Sequence, residues 1–153
     1  MSIHSYSRCW MHIVWSTLRR EYTLEEEARR RLSKYLLDYS RSKNVFMKIN
    51  YVNADHVHVL IDLPTNRSVE QVVHLLKGNS SHWINENRLT SLTFSWGRGF
   101  GVFSVSESIV PKVALYIGGQ AEHHKRRSFL EEYKRFVARH GLVWRDDLRE
   151  TGH

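Results

Sequence analysis

Two histidines set two residues apart are the groups in this chain best suited to chemistry, in the run Asp55-His56-Val57-His58-Val59-Leu60-Ile61-Asp62-Leu63-Pro64. The run alternates, so a β-strand turns Val57, Val59, Ile61 and Leu63 to one face and His56, His58, Leu60 and Asp62 to the other. Pro64 has no N–H to offer a ladder and closes the strand. Paired imidazoles on one strand face are the simplest rigid platform for two metal ligands. His-x-His is short and common, however, and spacing alone favours an ordinary pair on a polar face. A histidine triad is excluded because position 60 is Leu. A second pair lies in Tyr116-Ile117-Gly118-Gly119-Gln120, where Tyr116 and Gln120 sit one helical turn apart on a shared face. Both fall off the stripe of Val110, Val113, Ala114 and Ile117, which predicts an exposed phenol and amide. Gly118-Gly119 in mid-helix costs on the order of 1 kcal/mol per glycine relative to Ala, which suggests either an arm that bends or close helix packing.

The elements that must position these groups follow in order. Residues 6–17 alternate as a strand, with Cys9, Met11, Ile13 and Trp15 on one face and Arg8, Trp10, His12 and Val14 on the other. Arg19-Arg20 form the turn, and Thr23-Leu24-Glu25-Glu26 has the form of a capping box. The helix it opens carries Ala28, Leu32, Tyr35, Leu36 and Tyr39 at helical spacing and stops near Asn44. Residues 45–52 form a strand whose apolar face is Val45, Met47, Ile49 and Tyr51, joined to the histidine strand by a connection short enough to require antiparallel pairing. Ser68-Val69-Glu70-Gln71 caps a second helix that runs through Lys77-Gly78 to about Glu86. In the loop of residues 87–99 and the glycines beyond it, Trp96, Gly97, Arg98, Gly99 and Gly101 can cradle a backbone, take a flipped base, or simply punctuate a turn.

Val102–Ser106 is a fourth strand, Ser108 can cap a third helix with Pro111 in its first turn, and Ser128-Phe129-Leu130-Glu131 caps a last one that Gly141 stops. The order predicts an α+β fold: a ferredoxin-like βαββαβ sandwich with an antiparallel sheet and two additional C-terminal helices, one carrying the tyrosine. One domain spans 1–153, with its core at about 6–107, the tyrosine helix at about 109–124 and the last helix at about 129–140. The first and third strands are then central neighbours, so the face of His56 and His58 is shared with His12 and Trp10.

Composition narrows the partner. A chain of 153 residues, 41% hydrophobic and 25% charged, suits one globular domain, and no apolar run approaches a membrane span. No signal peptide heads the sequence, which predicts a cytoplasmic protein. Cys9 is the sole cysteine, which excludes disulfide scaffolds and cysteine-based zinc sites. A net charge of +7 with 12% aromatic residues points to a nucleic acid.

His56-Val57-His58 on a hydrophobic strand, followed by Tyr116-Ile117-x-x-Gln120 on a later helix, resembles the HUH single-tyrosine transposases of the smallest bacterial insertion sequences. The REP-associated tyrosine transposases are relatives of these. The likeness extends over nearly the whole chain, through His12–Thr17, Leu76–Ser81, Phe103–Ser106 and Glu122-His123-His124. The resemblance implies that His56, His58 and the side-chain oxygen of Gln120 hold Mg²⁺ or Mn²⁺. It implies that Tyr116 is the nucleophile, forming a 5′-phosphotyrosine and a free 3′-OH with no nucleotide cofactor. Asp62, on the histidine face, either orients an imidazole or only ends the strand, and His12 is the other neighbour able to do so. The implied substrate is single-stranded DNA with a hairpin at the element end, and the implied assembly is a homodimer with shared active sites. Arg19, Arg20, Lys77, Arg98, Lys125, Arg126 and Arg127 are then candidates for DNA contact, with Lys134 and Arg135 beside them. Two other functions suit the same fold: a non-catalytic DNA or RNA hairpin binder, and a metal phosphodiesterase that uses water.

Overall fold

Four antiparallel strands form one sheet in a computed structural model, which describes residues 5–120 and 127–146. They are β1 (Trp10–Ser16), β2 (Phe46–Val52), β3 (His56–Asp62) and β4 (Gly101–Val105), lying in the order β2-β3-β1-β4. The described helices are α1 (Glu26–Ser42), α2 (Val69–Glu86), α3 (Val110–Gly118) and α4 (Phe129–Arg139). The α+β class and the central pairing of β1 with β3 match the expected sandwich, with His12 opposite Leu60 and Val14 opposite His58. No helix among the described residues is long and apolar enough to cross a membrane.

Alternation along the strands gives the sheet two faces, and both are covered. On one, Ile13, Trp15, Val57, Val59 and Ile61 pack with Leu32 and Leu36 of α1 and with Val72, Val73, Leu76 and Ile84 of α2. At roughly 1.5–3 kcal/mol for each large apolar side chain buried, this layer carries most of the hydrophobic stabilisation. The other face is covered in two patches: Trp10 and Leu60 meet Val110 and Ile117 of α3, while Val14 and Phe103 meet Phe129 of α4. Six of the seven residues of β3 are therefore buried, and its histidines do not lie on the half-exposed polar face that alternation suggests.

Two local expectations are corrected by the fold. The apolar face of β2 is not continuous, because its register against β3 slips between Met47 and Ile49. A bulge of this kind adds one residue and reverses the faces beyond it. Val45, Met47 and Val52 thus join the helix-side core, whereas Ile49 and Tyr51 turn toward α3. Capping is the second. The box at Ser68 forms, the Gln71 N–H donating to Ser68 Oγ at 3.1 Å and the Ser68 N–H to Gln71 Oε1 at 2.8 Å, and Ser128 caps its helix by accepting from the Glu131 N–H at 3.2 Å. The box expected at Thr23 and the cap expected at Ser108 do not form. The N–H groups of Thr23 and Leu24 both donate to the carbonyl of Ala54, which keeps that segment extended and delays α1 to Glu26. A short 3₁₀ turn over Glu107–Ile109 likewise delays α3 to Val110.

The glycine-rich loop before β4 is anchored from beneath. Lys77, buried in α2, donates from Nζ to the carbonyls of Gly97 at 2.8 Å and Gly99 at 3.0 Å. Its ammonium is committed to the loop, which corrects the expectation that it faces a DNA backbone. Trp96 pairs with Thr17 in an isolated bridge, and its Nε1–H donates to Ser80 Oγ at 2.9 Å. Lys77→Met removes the charged donor and leaves the carbonyls unsatisfied. It is expected to cost about 1.5–3 kcal/mol in denaturant unfolding and to open residues 97–101 to proteolysis; unchanged stability would show that the loop holds its shape without the lysine.

Candidate active site

His56 and His58 point to the α3/α4 side of the sheet because residues two apart on a strand share a face. Their rings are 5.1 Å apart, centroid to centroid. Asp55, directly before the strand, brings Oδ1 to 2.7 Å from His56 Nδ1. A proton on Nδ1 is thereby held by the carboxylate, leaving Nε2 as an acceptor 3.0 Å from the Asn53 side-chain amide. On β1, His12 Nε2 lies 2.8 Å from His58 Nδ1. Burial holds His12 well below the ordinary histidine range, and the neighbouring His58 adds to the effect. A neutral His12 can then fix the tautomer of His58, as an outer partner of a metal-binding imidazole does.

Helix α4 lies across these imidazoles with one face. Phe129, Glu132 and Phe136 are spaced three and four apart and so share a stripe. Phe129 stacks on His56 with centroids 4.0 Å apart, and Phe136 stands edge-on to His12 at 5.0 Å. Between the two aromatic rings, Glu132 is buried, with Oε1 2.9 Å from His58 Nε2 and 3.7 Å from His56 Nε2. His56, His58 and Glu132 each offer one ligand atom, all within 4.8 Å of one another. Two imidazoles and a carboxylate are a donor set that fits a divalent cation, with positions left over for other ligands.

Tyr116 completes the cluster from α3. Its hydroxyl donates to Glu132 Oε2, and its ring lies 6.3 Å from that of His58. Burial pushes the phenol pKa well above its ordinary value, and both the hydrogen bond to Glu132 and the carboxylate charge push the same way. Gln120 is fully buried, its Nε2 3.5 Å from the Tyr116 carbonyl. The exposed Tyr–Gln pair of the sequence reading is therefore corrected to a half-buried phenol and a buried amide. The glycine pair also changes role, since Gly118 ends α3 and Gly119 is its C-terminal cap.

The structure gathers His12, His56, His58 and Tyr116, as the sequence suggests, with the Gln120 side chain hydrogen-bonded to Tyr116, and the carboxylate reaching both imidazoles is Glu132. Asp62 lies at the far end of β3, where Oδ1 accepts from the Cys9 N–H at 2.8 Å and Oδ2 is 3.5 Å from Arg8. It ends the strand, and Asp55 is the carboxylate that orients an imidazole. Asp55 was findable as the residue flanking the histidine strand, and helical spacing sets Glu132, unlike Glu131, on one stripe with Phe129 and Phe136, without saying what that stripe meets. Arg19 is exposed and 3.9 Å from Glu21, Arg98 and Arg127 are exposed, and Arg20 is half-buried. Lys125, Arg126 and the run Glu122-His123-His124 lie outside the described residues.

Residues 5–120 match the family described as "Transposase IS200 like". The transposases for insertion sequence element IS200 of Salmonella typhimurium and Salmonella typhi are each 31% identical over 128 residues, covering 80% of this chain and 83% of theirs. A putative transposase of Deinococcus radiodurans R1 shares the fold with a TM-score of 0.61 at 21% identity, covering 78% of this chain and 96% of that one. A REP-associated tyrosine transposase bound to a REP hairpin does so with a TM-score of 0.60 at 16% identity, covering 97% and 94%.

His12 gives the cluster a testable pH signature. Its pKa in the fold lies below the unfolded value of about 6.5, so the unfolded chain takes up the proton first. The stability it confers is present above pH 6.5 and is lost as pH falls toward the folded value, by at most about 1.4 kcal/mol per pH unit for one proton. His12→Gln is expected to flatten that part of the stability–pH curve; an unchanged slope would mean that His12 is not the group responsible.

Proposed function

The chain belongs to the IS200-like transposase family, and on that premise we propose that it nicks and rejoins single-stranded DNA at hairpin-marked element ends through a covalent bond to Tyr116. One observation carries the reading: the Tyr116 hydroxyl and both imidazoles of His56 and His58 converge on the single carboxylate of Glu132. A nucleophile, a candidate cation site and a proton acceptor are thereby within one shell.

In the proposed reaction the phenol oxygen bonds to the scissile phosphorus as the bond from phosphorus to the 3′ oxygen breaks. The products are a 5′-phosphotyrosine and a free 3′-OH. The phenol proton has an acceptor in Glu132 Oε2, to which it is already hydrogen-bonded, and a proton returned from that carboxyl, directly or through water, balances the departing 3′ oxygen as 3′-OH. Burial and the Glu132 carboxylate raise the phenol pKa, which keeps this proton on the tyrosine in the resting protein. The phosphotyrosine retains the energy of the phosphodiester, and the 3′-OH can reverse the step without a nucleotide cofactor.

His56, His58 and Glu132 would hold Mg²⁺ or Mn²⁺, and the two imidazoles favour Mn²⁺ of the pair. When bound, the cation supplies Lewis-acid stabilisation of charge on the phosphate and the departing oxygen. Gln120, hydrogen-bonded to Tyr116, is the amide that can join this set. The hairpin bound to the REP-associated neighbour supports a hairpin substrate here. The proposed assembly is a homodimer; within a single chain, Tyr116 already lies beside its own histidines, so sharing sites between subunits would require α3 to leave these contacts.

Incubating the protein with a single-stranded hairpin oligonucleotide and Mn²⁺ should give an adduct that survives a denaturing gel and is absent in Tyr116→Phe. Cleavage that persists in Tyr116→Phe would favour a phosphodiesterase using water, and a mobility shift without cleavage would favour a hairpin-binding protein. Asp55→Asn should weaken Mn²⁺ binding, followed by calorimetry, by roughly 10- to 100-fold while leaving the fold intact. An unchanged affinity would remove His56 from the cation site.

A further inference from the structure

A cavity of about 610 Å³ opens between the Arg20 turn, the Gly97–Gly101 loop and the segment following α4. We propose that it binds one unpaired nucleotide of the DNA strand, with the base against its aromatic wall and the phosphate on its arginines. The inference rests on the transposase reading above and adds a strand-binding site outside the histidine cluster.

Arg20, Arg98 and Arg145 converge on the cavity together with Phe100, Tyr133 and Trp144. Among the described residues none of these three guanidiniums is in an ion pair, and no carboxylate lines the space. Three unneutralised charges at one opening attract a polyanion, and guanidinium groups give phosphate oxygens paired donors. The aromatic groups supply flat apolar surface, and stacking on such surface accepts any base. At this volume, within the range of roughly 300–1,000 Å³ typical of ligand pockets, the cavity has room for a base but not for a duplex.

The walls are held in place before any ligand arrives. Lys77 secures the carbonyls of Gly97 and Gly99, and Gly99 adopts a φ of +75° that a larger residue would resist. Trp144 packs edge-on against Tyr133 at 5.2 Å, and its Nε1–H donates to Asp146 Oδ1 at 2.9 Å. Arg19 and Arg20 both have left-handed backbones, φ 55° and 58°, a strained arrangement of the kind concentrated at ligand-holding turns.

Position ties the cavity to the chemistry. Tyr133 follows Glu132 on α4, and its ring lies so close to Gly101 that an added Cβ there would meet it at 2.8 Å. A strand whose phosphate reaches Tyr116 thus has this cavity on the neighbouring face of the same helix. Holding one nucleotide here would set the register of the scissile phosphate relative to the hairpin.

The test compares a hairpin bearing a single-stranded flank with the same hairpin trimmed of it, by fluorescence anisotropy with chelator present so that nothing is cleaved. The wild type should bind the flanked hairpin more tightly. Arg98→Ala and Phe100→Leu should each lower that affinity about 5- to 100-fold and leave the trimmed hairpin unaffected. Arg98→Ala should also reduce the slope of log affinity against log salt by about one. Phe100→Leu keeps apolar packing but loses the aromatic face, so quenching of 2-aminopurine in the flank should be lost with it. Variants that bind the flanked hairpin like wild type, or weaken both hairpins equally, would overturn the cavity as a nucleotide site. A wild type that binds both hairpins equally would overturn the cavity alone, whereas one that binds neither would sink the transposase reading beneath it.

Discussion

The buried carboxylate of Glu132 is the constraint around which the site is built. Removing a carboxylate from water costs several kcal/mol unless other groups replace the lost hydration. Here the replacement comes from different parts of the chain: His58 and His56 on β3 and Tyr116 on α3. Because Glu132 belongs to α4, the same contacts fasten α4 to α3 and to the sheet. A displacement of α4 would therefore uncover the imidazoles and release the phenol together.

The sheet makes this arrangement affordable in stability. Its α1/α2 face holds an apolar core running from Ile13 to Trp96, so folding does not depend on the opposite face being apolar. That opposite face can then carry His12, His56 and His58 among Trp10, Leu60 and Phe103. The bulge in β2 serves the same division, turning Ile49 and Tyr51 to the tyrosine helix while Met47 and Val52 stay with the main core. Burial, with His58 alongside, holds His12 neutral, so its ring can partner the imidazole of His58.

The loops add a second organising feature beside the first. The Gly97–Gly101 segment is tied to α2 through Lys77, and the start of β4 is pressed against Tyr133 of α4. Helix α4 thus has the imidazoles against one stripe and the arginine-lined cavity against the next. Each of these sites is formed by elements distant in sequence, and α4 is the one they share.

Features set by neighbours a few residues apart were legible in the sequence by itself. Alternation placed β1 and β3, the capping boxes at Ser68 and Ser128 marked α2 and α4, and the His-Val-His and Tyr-x-x-x-Gln spacings singled out His56, His58 and Tyr116. The strand and helix order carried the sandwich topology as well. Only the tertiary structure decided what meets those residues. Glu132 reaches His58 from 74 positions away, and helical spacing, which sets it on one stripe with Phe129 and Phe136, does not say that imidazoles lie against that stripe. Asp55 orients His56, while Asp62, for which the sequence left open orienting an imidazole or ending the strand, does the latter, and Lys77 turns inward to loop carbonyls instead of outward to solvent. The cap at Thr23 gave way because the Ala54 carbonyl claimed the local backbone donors. Periodicity records which face a side chain takes, since that follows from the backbone's own repeat. Which partner waits on that face depends on how distant segments pack, and burial then forces every polar group to find one.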